Sequence, residues 1–152
     1  KPLPDDLFPK IDFFTPNETE TQFYTGLNPG RDLRSARQAA DLLLAKGVAH
    51  VVITLGGRGA FYASGGIYKL YPAFPITPVD TTAAGDAFNG GLAVMLAEGK
   101  SIPEAIRFAN AAGAVCAMRA GAQSAIGSRQ EIEMLIQSHP EEKYLRGNDC
   151  TC

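Results

Sequence analysis

The chain has 152 residues, 45% of them hydrophobic and 20% charged, and a net charge of −2, a composition that describes one globular domain able to bury a core. No basic block offers a surface to nucleic acid or an anionic membrane, and no apolar run approaches the ~20 residues needed to span a bilayer. Three cysteines, an odd number, argue against a disulfide framework and for a reducing compartment; with no leader visible from Lys1 onward, the expected location is the cytoplasm.

Ile11–Phe14 is a short apolar run closed by Thr15-Pro16, and reads as a buried strand. Asn17-Glu18-Thr19-Glu20 opens a helix predicted to run to Tyr24 and to stop at Gly26. Asn17 with Glu20 three residues on fits a capping box, a pattern that returns at Ser101–Glu104 and Ser128–Glu131. Asn28-Pro29-Gly30 is a turn. From Asp32 to Lys46, Leu33, Ala36, Ala40, Leu43 and Leu44 recur at helical spacing, and Gly47 ends that helix. Val51–Leu55 is a β-branched run, the mark of an interior strand in a parallel sheet. Strand, helix, strand argues for a doubly wound α/β layer.

Leu55-Gly56-Gly57-Arg58-Gly59 follows that strand's carboxyl end, where open α/β sheets place their ligands. It reads either as a ligand loop or as a tight turn into two short strands, Ala60–Ala63 and Ile67–Tyr71, joined at Ser64-Gly65-Gly66. His50 has no identifiable partner and reads as ordinary.

Pro75–Val79 reads as a short extended strand. It leads into Asp80–Gly91, DTTAAGDAFNGG, which opens a helix reaching Glu98 and closed by Gly99. The first N–H groups of a helix lack internal partners and carry partial positive charge. Ala83, Ala84 and Gly85 are small enough to let a bulky anion approach them, and Asp86 sets a carboxylate beside it. An anion cradle next to a candidate base is what phosphoryl transfer to a hydroxyl requires. The plainer alternative is capping, with Thr81 or Thr82 as N-cap and Asp86 on the helix dipole. Ser101 caps a further helix whose apolar positions include Ile102, Ile106, Ala109, Gly113 and Cys116. Cys116 reads as a small buried residue, and Asn110 as a locally hydrogen-bonded one. Ser128 to about Gln137 is a last amphipathic helix, and residues 139–152 read as a polar, flexible tail. For Cys150 and Cys152 in that tail, a metal or redox pair is the alternative to a disordered end.

The Asp80–Asp86 string with Asn89-Gly90-Gly91 behind it closely resembles the signature of the ribokinase family, the phosphofructokinase-B type carbohydrate kinases. The agreement continues in order from Asn17 to about Ile136. The resemblance implies a Rossmann-like, doubly wound, mostly parallel sheet, with residues 1–138 forming the carboxyl-terminal, nucleotide-binding part of a sugar kinase. The implied reaction is ATP-dependent phosphorylation of a sugar hydroxyl, D-ribose to ribose 5-phosphate. The alternatives are a nucleoside or other small-alcohol kinase of the same family, or a non-catalytic nucleotide-binding module. Carried over residue by residue, Asp86 is the general base, and the backbone of Ala83, Ala84, Gly85 and Asp86 forms an anion hole. ATP lies near Asn17, Thr54, Leu55, Gly56, Gly57, Arg58, Gly59, Gly85 and Asn110. Magnesium is held through water by Glu20, and a monovalent cation such as potassium by backbone carbonyls around Asp80, Thr82, Cys116, Arg119 and Gly121. The sequence departs from the family at that last loop, where Ala125 stands in place of a serine and Ser124 falls one position early. Nothing resembles the family's amino-terminal half, so the chain is expected to be inactive alone. It is further expected to leave a sheet edge exposed, and to associate through that edge or as a homodimer, with a small sugar as substrate and neither nucleic acid nor membrane as partner.

Overall fold

The computed structural model describes residues 2–140. Cys150, Cys152 and all of the expected tail beyond Pro140 lie outside them. The chain forms two units, one reaching Tyr71 and one starting at Pro72.

The first unit contains β1 (Phe13–Phe14), α1 (Glu18–Thr25), α2 (Leu33–Ala45), β2 (His50–Thr54), β3 (Ala60–Ser64) and β4 (Ile67–Tyr71). The strands lie in the order β1-β2-β3-β4. β1 and β2 run parallel, with Phe13 opposite His50 and Phe14 opposite Val51, so the predicted strand–helix–strand unit is present with two helices in its crossover. β2·β3 and β3·β4 are antiparallel. The expectation of a mostly parallel sheet is corrected here: among the described strands the sheet is mixed. The cause is the length of the connections. A short turn at Gly56–Arg58 joins β2 to β3, and Gly65-Gly66 joins β3 to β4, while a parallel crossover needs a dozen residues or more.

Val51, Val52 and Ile53 are fully buried in β2, and α2 lays Ala36, Ala39, Ala40 and Leu43 into the same core as Val51 and Ile53. The alternation of alanine and leucine on that face lets the helix sit close to the strands. Residues ahead of β1 also take part. Asp5–Lys10 is a 3-10 helix whose Phe8 is fully buried, edge-on to Phe14 and Tyr24 with ring centroids 5.7 Å away in each case. Removing one such side chain from water contributes ~1.5–3 kcal/mol. Gly47 does more than end α2: a Cβ there would lie 2.9 Å from Pro9 Cγ. His50 is not without partners, since it stacks on Phe13 at 4.4 Å and its Nδ1 lies 3.0 Å from the Tyr62 hydroxyl.

The second unit contains α3 (Ala84–Ala97), α4 (Ile102–Ala117) and α5 (Arg129–Ser138). Pro75–Val79, expected as a strand, joins no sheet. Pro72, Pro75 and Pro78 have no N–H to give to a ladder. The Val79 and Asp80 N–H groups both donate instead to the Ala117 carbonyl, at 2.7 and 3.1 Å. α3 and α4 cross on small residues. A Cβ at Gly91 would lie 3.1 Å from Ala112 Cβ and 3.3 Å from Ala109 Cα, and one at Gly113 would lie 3.1 Å from the Ala84 carbonyl oxygen. Capping boxes start α1, α4 and α5 at Asn17/Glu20, Ser101/Glu104 and Ser128/Glu131, as the spacing predicts.

Candidate active site

The start of α3 carries no side-chain cap. Neither threonine caps the helix: the N-cap is Ala83, whose side chain can accept nothing. The Ala84 N–H donates to Thr81 O at 3.2 Å, and the Ala87 N–H to Ala83 O at 3.0 Å. Between them, the N–H groups of Gly85 and Asp86 have no acceptor among the described residues. Gly85 is exposed, and a Cβ built there would meet nothing within 4 Å. Two unpaired donors at the positive end of a helix therefore face open space. Asp86 lies on the same first turn, exposed and without an ion pair among the described residues.

Asp80 shapes the turn before that helix. Its Oδ1 accepts from the Thr82 N–H at 2.9 Å and the Thr82 hydroxyl at 2.6 Å, and its Oδ2 accepts from the Gly121 N–H at 3.1 Å. These bonds, the Thr82 hydroxyl foremost, hold its carboxyl below the usual aspartate range. Asp80, Thr82 and Gly121, three of the residues expected around a monovalent cation, are thus brought together. The Cys116 carbonyl already accepts from the Arg119 N–H at 3.1 Å, and burial pushes the Cys116 thiol up, with the charges of Asp80 and Asp86 adding to it. The Arg119 guanidinium pairs with Glu131. Arg119 and the Ser128 N–H and hydroxyl together bring the Glu131 carboxyl down to about 2. Asn110 is half-buried and donates from Nδ2 to Pro72 O at 3.3 Å.

In the first unit, the turn after β2 is held by its own backbone. The Leu55 N–H donates to Gly59 O at 2.8 Å, and Gly56 and Gly59 take φ of 53° and 101°, which a side chain would strain. Gly56 and Gly57 are exposed, with nothing within 4 Å of a built Cβ. Asn17 forms a parallel bridge with Thr54, so the end of the first strand segment and the glycine turn are adjacent. Asn17 Oδ1 accepts from the Glu20 N–H at 2.8 Å, and Glu20 Oε2 accepts from the Asn17 N–H at 2.9 Å. Glu20 is exposed, and its Oε1 takes no donor among the described residues. One oxygen is therefore committed to the cap, while the other fits a hydrated cation.

Glu18 is a residue that sequence reasoning passed over. Its Oε1 pairs with Arg58 at 2.8 Å and lies 2.7 Å from where a Cβ on Gly30 would stand. Two glutamates flanking Thr19, one turned to the cap and one to the arginine, were the signal available. Gly113 was read as part of an apolar face, but its missing Cβ makes room for the Ala84 carbonyl at the start of α3.

The family model described as pfkB family carbohydrate kinase matches residues 1–129. The chain belongs to the pfkB family of carbohydrate kinases. Among pfkB relatives, the ribokinase of Haemophilus influenzae is 46% identical over 129 residues, covering 85% of this chain and 42% of that protein. The structure of Arabidopsis thaliana ribokinase complexed with ribose and ATP superimposes with a TM-score of 0.83 at 34% identity, over 89% of this chain and 44% of that one. An Escherichia coli structure in complex with ATP and Mg2+ gives a TM-score of 0.76 at 29% identity, over 89% and 42%. The ribokinase-like α/β fold expected from the sequence is therefore present. The chain spans less than half the length of these pfkB relatives.

Proposed function

We propose that this chain is the nucleotide-handling part of an ATP-dependent sugar kinase acting on D-ribose. The observation that carries the reading is the first turn of α3, where N–H groups and an exposed carboxylate, all without partners among the described residues, share one turn. In this reading the sugar hydroxyl attacks the γ-phosphorus of ATP. A new O–P bond forms, the bond to the β,γ-bridging oxygen breaks, the proton passes to the Asp86 carboxylate, and ADP leaves. The N–H groups of Gly85 and Asp86, with Ala83 and Ala84 beside them, meet the negative charge on the group in transit; the Ala84 N–H, expected to join them, donates to Thr81 O instead.

Asn17, Thr54, Leu55, Gly56, Gly57, Arg58, Gly59 and Asn110 are assigned to ATP. Glu20 is assigned to Mg2+ through water, a role suited to its Oε1, which takes no donor among the described residues. Backbone carbonyls of Asp80, Thr82, Cys116, Arg119 and Gly121 are assigned to a monovalent cation. Support comes from the ribose and ATP of the Arabidopsis complex and the ATP and Mg2+ of the Escherichia coli one.

The test is a hybrid enzyme in which this chain replaces the matching part of the Haemophilus influenzae ribokinase. The hybrid is expected to release ADP in a ribose-dependent manner. Asp86→Asn is expected to lower kcat by about 10²–10⁴, the usual yield of a general base, with MgATP affinity unchanged. Near-parental turnover in the Asp86→Asn hybrid would remove Asp86 as the base.

A further inference from the structure

Glu18 and Arg58 form an ion pair between the first turn of α1 and the glycine turn after β2, 40 positions apart. Both side chains are close to half exposed, and a pair so open to water adds little to stability. The contact is a single one, from Arg58 Nη2 to Glu18 Oε1 at 2.8 Å. Nη1 and Nε of the guanidinium take no acceptor among the described residues. The carboxylate nevertheless has a defined seat. A Cβ on Gly30 would stand 2.7 Å from Glu18 Oε1 and 3.0 Å from Glu18 Cδ. Gly30 is not among the glycines with positive φ, so its missing Cβ serves to leave room for Glu18. On the other side of the pair, the Gly56 and Gly57 N–H groups find no acceptor among the described residues. An anion drawn to those N–H groups is met by the guanidinium one residue further along the chain. A phosphate offers that guanidinium two oxygens in a matching fork, a stronger hold than one contact to an exposed carboxylate.

We propose that Glu18 stands in for phosphate: seated against Gly30, it holds the Arg58 guanidinium until the polyphosphate of a nucleotide displaces it, and so restrains nucleotide affinity. The proposal rests on the ATP-binding role given above to the glycine turn and Arg58. Glu18 is then a determinant of affinity that touches no nucleotide, and its removal acts in the opposite direction to the loss of a contact. A glutamine at position 18 keeps an acceptor for Nη2 but loses the charge, so it gives up the arginine more readily.

The test is a set of MgATP titrations of the ¹⁵N-labelled 152-residue chain, with Kd read from the Gly56 and Gly57 amide resonances. Glu18→Gln is expected to tighten MgATP by about two- to fivefold, the scale of an exposed ion pair. Arg58→Ala is expected to weaken it by about tenfold, the scale of a hydrogen bond to a charged group. In the Arg58→Ala background, Glu18→Gln is expected to gain nothing, because the pair it would loosen is already gone. Gly30→Ala keeps both charges and dislodges the carboxylate from its seat. It is expected to tighten MgATP as well, and it carries the test should Glu18→Gln fail to fold. A purely structural tie would leave affinity unchanged or lower in both variants, and either result would overturn the proposal. So would a gain from Glu18→Gln that survives in the Arg58→Ala background, since that is general repulsion between carboxylate and polyphosphate. Gly56 and Gly57 resonances that MgATP does not move in the unaltered chain would overturn the nucleotide reading itself, and this proposal with it.

Discussion

Thr21 shows at the scale of a single residue how tightly the first unit is filled. It is fully buried in α1, and its hydroxyl has no hydrogen-bond partner among the described residues. A buried polar group left unsatisfied costs ~1–3 kcal/mol. Thr21→Val keeps the shape and removes the orphan group, so the variant is expected to melt higher, in a thermal denaturation followed by circular dichroism. Glu131 carries a pH dependence. Its folded carboxyl, near 2, lies below the ~4.3 of an unfolded glutamate. Its contribution is therefore complete above the unfolded value and is lost as pH falls toward the folded one. Glu131→Gln should flatten the melting-temperature profile between about pH 5 and pH 2. The flattening should be modest, because water screens so exposed a pair. Individual residues were also where sequence reading met its limits. The capping roles of Asn17 and Glu20 were legible from spacing alone, because the capping box is a local pattern. The pairing of Glu18 with Arg58 was not, because it joins positions 40 apart through the fold.

Among the elements, the crossing of α3 and α4 gives a sharp contrast between neighbours. Gly90 is exposed with nothing around a built Cβ, whereas Gly91 faces Ala112, Ala109 and Phe108 at 3.1–3.3 Å. Gly90→Ala should stabilise by ~1 kcal/mol from helix propensity. Gly91→Ala gains the same propensity but overpacks the crossing, a penalty of ~1–3 kcal/mol, and should come out net destabilising. Equilibrium urea unfolding of the two variants distinguishes them, and equal effects of the same sign would show that the helices do not meet there. Each of the five α-helices among the described residues was legible within a residue or two, because each carries a capping or stop residue at one end or both. The strand expected at Pro75–Val79 was misread because extended backbone and a hydrogen-bonded strand look alike in a short apolar run, and prolines decide between them. The 3-10 helix at Asp5–Lys10 was invisible, since its reason to form is the Phe8 socket made by distant aromatic rings. Phe8→Ala is accordingly expected to cost ~3–5 kcal/mol.

For the whole molecule, the fold of a kinase and its α3 turn are present in a chain less than half as long as its relatives. Under the proposed function, the 152-residue chain alone should bind MgATP weakly and phosphorylate no sugar. Isothermal titration and a coupled ADP assay check the two halves of that statement, and robust ribose-dependent ADP release by the isolated chain would contradict the second. The proline-spaced stretch after β4 has a consequence of another kind. Without Pro75 and Pro78, the letters left between Ala73 and Val79 are Phe74, Ile76 and Thr77, the vocabulary of fibril-forming peptides. Val79, at 65% exposure, already stands in water. The imino rings act as gatekeepers, sparing newly made chains from zipping onto one another before either unit has closed its core.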